Sequence, residues 1–211
     1  FPTVGSNTGE ANSMSVQYYQ PFLATNRAIM KFTMPPNPGK VITKISVMVY
    51  ATSASSSGQP INCHIMNDAN WQEMSVCWTN RQTGSSTLAW TTAGGDFVLA
   101  TVNGTLTDSN IASNLGWQEF VIYGTGAINN ITLPNWGDTI GILLKAINGT
   151  EPTPTAGTTC NMGIWSSQCE YPELRPYLKI EVADDPMKPI INVEGFESPV
   201  RPAFFKNGIA K

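Results

Sequence analysis

Charge is scarce in this sequence. Lys, Arg, Asp and Glu make up 13% of its 211 residues, about half of the ~25% usual in soluble domains. Its 12 Lys and Arg are scattered and the net charge is −3, which argues against a nucleic-acid binder and its basic face. No apolar run reaches the roughly 18–20 residues that a membrane-spanning helix needs. Histidine occurs once, at His64. No Gly-x-Ser-x-Gly elbow offers a nucleophile, and no glycine-rich turn feeds a Lys-Ser/Thr helix start that would cradle phosphate. Glycoside hydrolysis needs two opposed carboxylates, and Glu73, Glu119 and Asp138 form no pair in sequence. His64 alternates with Cys63 and Ile65 on an expected strand and reads as an ordinary strand histidine, without a nucleophile or orienting acid beside it. The expectation is a protein without catalytic activity.

The four cysteines, Cys63, Cys77, Cys160 and Cys169, lack the CxxC spacing of a zinc site, and only His64 could add a nitrogen ligand. Their even number fits an oxidising compartment. Of three possible connectivities, Cys63–Cys77 with Cys160–Cys169 is favoured, each pair bridging a local hairpin. Sequons at Asn103, Asn130 and Asn148 fit the same extracellular setting. The chain opens on Phe1 with no charged-then-apolar leader, and the expectation is a secreted chain whose signal peptide has been removed. No cofactor is expected. The one metal to weigh is a structural Ca²⁺ on loop carbonyls with Asp68, Asp96 or Asp138.

What the sequence does contain is short alternating segments between turn residues. Residues 27–34 predict a strand with Ile29 or Met30 and Phe32 inward, stopped by Pro35, Pro36 and Pro38. A long strand at 41–51 follows, with Ile42, Ile45, Val47 and Val49 apolar. Further strands are predicted at 61–66, 75–79, 97–102, 117–123, 139–146, 160–166 and 176–182. One short helix is predicted from Thr107 or Asp108 to Asn114, with Gly116 ending it. The pattern predicts an all-β fold, an antiparallel β-sandwich of jelly-roll type, over residues 1–183. Residues 184–211 read as a Pro-rich extended tail. Within it Ile190, Ile191, Val193 and Phe196 lie on a stretch able to act as an intersubunit strand.

The segment Trp71 to Asn80 carries a signature: Trp71, Glu73, Ser75, Val76, Trp78, Asn80. With Arg27 leading into an apolar-alternating strand, and Arg175, Pro176 and Leu178 in the last one, the chain resembles the DNRLRE domain family. That resemblance covers about residues 10–183 and implies a β-sandwich of secreted and cell-surface proteins, related to the disaggregatase-associated modules. It departs from the family at Arg81–Gln82, where a proline is missing, and at Ser167 to Glu170, where Cys169 interrupts a Ser-x-Glu turn. Arg27, Trp71, Glu73, Trp78, Arg175 and Pro176 are expected to be fold signature, with Glu73 anchoring its loop as a hydrogen-bond acceptor.

Two functions follow. The first is a structural surface protein that assembles with copies of itself into a filament or layer through the terminal segment. The second is a carbohydrate-binding module attached to an enzyme or adhesin, with polysaccharide as partner, since some relatives in the family resemble such modules. For the second, Trp90, Trp136, Tyr18 and Tyr19 lie nearest loops or edges and are the candidate stacking platforms. Trp78 and Trp165 fall in strand runs and are assigned to the core.

Overall fold

The computed structural model describes residues 11–19, 24–54, 60–66, 69–73, 76, 80–82, 87–91, 106–111, 115–128, 131–146 and 159–184. The architecture is the expected all-β antiparallel sandwich. Its strands are β1 (Ser13–Tyr19), β2 (Ala24–Thr33), β3 (Lys40–Ala54), β4 (Pro60–Ile65), β5 (Asn80–Gln82), β6 (Leu88–Ala89), β7 (Leu106–Ile111), β8 (Gly116–Gly124), β9 (Thr139–Ala146), β10 (Thr159–Trp165) and β11 (Tyr177–Asp184). Among the described residues, nine of them form one curled antiparallel sheet in the order β11-β3-β10-β1-β2-β9-β4-β7, with β8 also on β3. The sheet folds over until β7 lies beside β8, and β4 comes across from β8 and β10. Strands β5 and β6 make a separate small ribbon.

Alternation explains which residues fill the interior. Val16 on β1, Ala28 and Met30 on β2, Ile61 and Cys63 on β4, Phe120 and Ile122 on β8, Ile142 and Leu144 on β9, and Met162 and Ile164 on β10 are all buried in one core. Each of the Val, Leu, Ile, Met and Phe side chains contributes about 1.5–3 kcal/mol of apolar burial. On β3 the buried set steps by three, from Ile42 to Ile45, before alternating through Val47, Val49 and Ala51. A bulge causes this: Glu181 opposes Lys44 while Val182 opposes Ile42, so Thr43 is the extra residue.

A second, smaller core covers the outer face of β2, β9 and β4, where Met66, Trp71, Trp90 and Leu143 pack with Ile29 and Val76. Lys31 on β2 holds it in place. Its Nζ donates to the Trp71 carbonyl at 2.8 Å and stands 4.9 Å from the indole centroid. Replacing this residue, Lys31→Met, is expected to cost about 1–2 kcal/mol through loss of both interactions. Thermal unfolding checks this, and an unchanged midpoint would contradict it.

Several expectations need correction. The segment predicted as a helix from Thr107 is instead strand β7, paired with β4. A capping residue and two turns of helix are marginal alone, and pairing with β4 outweighs them. Val76 does not continue a strand: its N–H donates to the Gln72 carbonyl at 2.8 Å, an α-turn. Cys160–Cys169 is not formed: Cys169 is a buried free thiol. The reason is extension. Cys160 lies at the start of β10, next to its first residue, while Cys169 lies beyond the far end, its N–H donating to the Ser166 carbonyl. Five residues of strand separate the two ends by about 16 Å, whereas a disulfide needs Cα atoms within ~7 Å. Cys77, Trp78, Asn103, Asn130, Asn148, the expected strand at 97–102 and the segment bearing Ile190, Ile191, Val193 and Phe196 lie outside the described residues.

Candidate functional site

The outer face of β2, β9 and β4 gathers the buried cations. Arg27 pairs with Lys145, which pairs with Asn62; one row along, Ile29 pairs with Leu143, which pairs with His64. Burial, then the charges of Lys145 and Arg27, push the His64 imidazole down to about 3. Burial, then Arg27, pushes Lys145 down to about 8, and burial brings Arg27 to about 10. A buried imidazole held neutral this strongly makes a poor general base at neutral pH. This face therefore consolidates the fold.

The opposite outer face, across β11, β3 and β8, is built differently. Because Val47 and Val49 point inward, Tyr50 points out, and its registered neighbour on β8 is Trp117. The Trp117 and Tyr50 rings meet edge to face, with centroids 5.5 Å apart and planes at 87°. From β11, beyond β3, Tyr177 meets the same indole at 5.1 Å and 73°. Two edge-to-face contacts orient the indole, yet Trp117 remains 38% exposed. A large aromatic kept both rigid and wet has the form of a stacking platform.

Polar groups adjoin this strip. Glu119 on β8 accepts from Lys44 Nζ at 2.9 Å and from the buried Ser46 hydroxyl at 2.7 Å, and Lys179 Nζ lies 3.6 Å away. Burial alone would raise the Glu119 carboxyl. The hydrogen bonds from Lys44 and Ser46, with the Lys179 charge, outweigh that and hold it below its usual value. Lys179 also pairs with Glu181 at 3.2 Å. Two cations and two carboxylates are thus matched, so the strip offers fixed hydrogen-bonding groups with little net charge.

The platforms expected from sequence sit elsewhere. Trp90 is buried in the second core, 7% exposed, and Trp136 packs half-buried against the main one. Trp90 thus offers little ring surface to a ligand. Tyr18 and Tyr19 lie on β1, and their side chains are outside what the structure describes. Trp165, assigned to the core, is half-buried on the outward side of β10. Glu73 accepts from the Ser167 hydroxyl at 3.0 Å, which ties its loop to the turn after β10. Arg175 Nε donates to the Cys169 carbonyl at 2.8 Å, and Pro176 follows it into β11. Asp138 Oδ2 accepts from the Asn135 N–H at 2.8 Å and shapes a turn, while Asp68 and Asp96 are outside the described residues. Among the described residues no three His, Cys, Asp or Glu side chains gather as a metal site. Nor does any described helix have the length and apolarity to cross a membrane.

Sequence reasoning passed over Trp117 as the first residue of a strand. The signal was present: Phe120 and Ile122 on the same strand fix the inward parity, and Trp117 takes the opposite one.

Comparison with known proteins agrees with this geometry. No curated protein matches the chain. The profile of carbohydrate-binding module family 96 matches residues 3–132, more than half of its length. The expected kind of family, a carbohydrate-binding β-sandwich, is thereby supported, although the DNRLRE name is not. With its sandwich and its exposed aromatic strip, the chain belongs to carbohydrate-binding module family 96.

Proposed function

We propose that the protein is a non-catalytic module that acts outside the cell and holds polysaccharide against the outer face of β11, β3 and β8. The observation that carries this reading is Trp117, in edge-to-face contact with Tyr50 and Tyr177 and still open to solvent. One face of a pyranose ring presents C–H groups, which pack on an indole and displace water, while its hydroxyls reach neighbouring polar side chains. Self-assembly through the terminal segment gains no support from the described residues, and the family match favours polysaccharide as the partner.

Affinity electrophoresis and titration against a panel of soluble polysaccharides test the proposal. Trp117→Ala is expected to weaken binding by about 30- to 100-fold, the loss of a ~2–3 kcal/mol aromatic anchor. The interior Trp90→Phe should leave affinity unchanged. Undiminished binding by a folded Trp117→Ala protein would refute this site.

A further inference from the structure

We infer that the platform continues as an uncharged track across β10 and β1 as far as Asn26 of β2, and that its ligand is a neutral, hydroxyl-rich polysaccharide chain occupying several sugar subsites. This rests on the Trp117 reading and extends it. Cys160, Met162 and Ile164 point into the core, so Asn161, Gly163 and Trp165 point out from β10. Val16 is buried on β1, so Ser13, Ser15 and Gln17 point out beside them, in register with Trp165, Gly163 and Asn161. Gly163 is also opposite Ser53 of β3, and its N–H donates to the Ser53 hydroxyl at 3.1 Å. Beyond β1, Gln17 is paired with Asn26 of β2.

These neighbours form a ladder of amides and hydroxyls. Ser15 Oγ donates to Asn161 Oδ1 at 3.3 Å, and Asn26 Nδ2 donates to Gln17 Oε1 at 3.3 Å. An amide carries two donors and two acceptor lone pairs, so each of these bonds orients a group that can both give and accept. Such mixed donor–acceptor groups suit sugar hydroxyls, which are themselves both. No outward residue on β10 or β1 is charged, so a uronate or sulfate would meet no cation there. Gly163 leaves the middle of the floor low: a Cβ there would lie 2.6 Å from Ser53 Oγ and 2.9 Å from Thr52 Oγ1. Backbone approach by a ligand is a recognised use of a strand glycine. From β8 to β2 the face crosses four strand spacings, about 19 Å, longer than one sugar ring.

Calorimetric titration with neutral gluco-, xylo- and manno-oligosaccharides, from disaccharide to hexasaccharide, tests the track, with alginate and polygalacturonate as acidic comparisons. Affinity for the matching neutral series should rise at least about tenfold with length and stay level between roughly 0.05 and 0.5 M NaCl. Combining Gln17→Ala with Asn161→Ala should abolish the gain with length and spare disaccharide affinity. Asn26→Ala, at the exposed end, should reduce the gain should the double variant fail to fold. A length gain that survives these changes, or tightest binding to a polyuronide with salt-sensitive affinity, would overturn the inference while leaving the Trp117 site standing. Indifference of every ligand to Trp117→Ala would instead remove the reading beneath it.

Discussion

Gly124→Ala should lower the unfolding midpoint by about 10 °C or more. Gly124 ends β8 opposite Lys44 with φ 90°, a conformation that costs a residue with a Cβ about 1–2 kcal/mol. Space is the larger obstacle. A Cβ would lie 2.2 Å from the Thr43 carbonyl oxygen and 3.0 Å from Lys44 Cα. Both are backbone atoms, and neither can withdraw without shifting the β3–β8 register at its bulge. Together the effects amount to roughly 3–5 kcal/mol, a large share of the 5–15 kcal/mol that holds a typical domain. At about 2–4 °C per kcal/mol for a chain of this size, the shift is easily measured by calorimetry or circular dichroism. A midpoint within a degree of the parent would contradict this turn geometry.

Acid should weaken the fold well above the range where carboxylates titrate. His64 is neutral in the native state down to about 3, whereas in the unfolded chain it protonates near 6.5. Between those values the unfolded state binds one more proton, so stability falls as pH falls, by up to about 1.4 kcal/mol per unit. The useful window runs from roughly pH 6.5 to 5, where Asp and Glu contribute little. About 1–2 kcal/mol should be lost there, after allowance for solvent screening. His64→Gln, which cannot charge, should flatten that limb in urea unfolding across the window. An unchanged slope would show that His64 is not its source. Lys145, held near 8 against an ordinary 10.5, acts on the alkaline side. There the unfolded chain retains the proton longer, so stability rises as pH rises from about 8 towards 10.5.

Much of this fold was legible because alternation is a local signal. Ile140, Ile142 and Leu144 mark the inward side of β9 without any knowledge of the partner strands, and the residues predicted for that strand are those observed. The long β3 was equally plain, although its three-residue step between Ile42 and Ile45 needed the opposing β11 to explain it. Features decided by distant partners were not legible. Thr107 and Asp108 look like helix caps until β4 is seen to need a neighbour. Cys160 and Cys169 look like a local pair until most of the intervening residues prove to be extended strand. Trp90 resembles an exposed loop tryptophan until the second core closes around it. The binding face was hidden for the same reason. Tyr50, Trp117 and Tyr177 lie far apart in sequence and become a strip only when β3, β8 and β11 pair.

The strand order also bears on how the molecule is made. The family match ends at residue 132, yet β9 fits between β2 and β4, β10 between β3 and β1, and β11 alongside β3. As the chain leaves the ribosome, β1, β2, β3 and β4 therefore wait with open edges for neighbours still to be synthesised. High sequence separation of this sort slows folding and leaves edges able to pair with other chains. A sparse surface charge and short, turn-bounded strands are modest protection in that interval. Strands β9, β10 and β11 thus serve as keystone rather than appendage, and the sandwich closes only when they arrive.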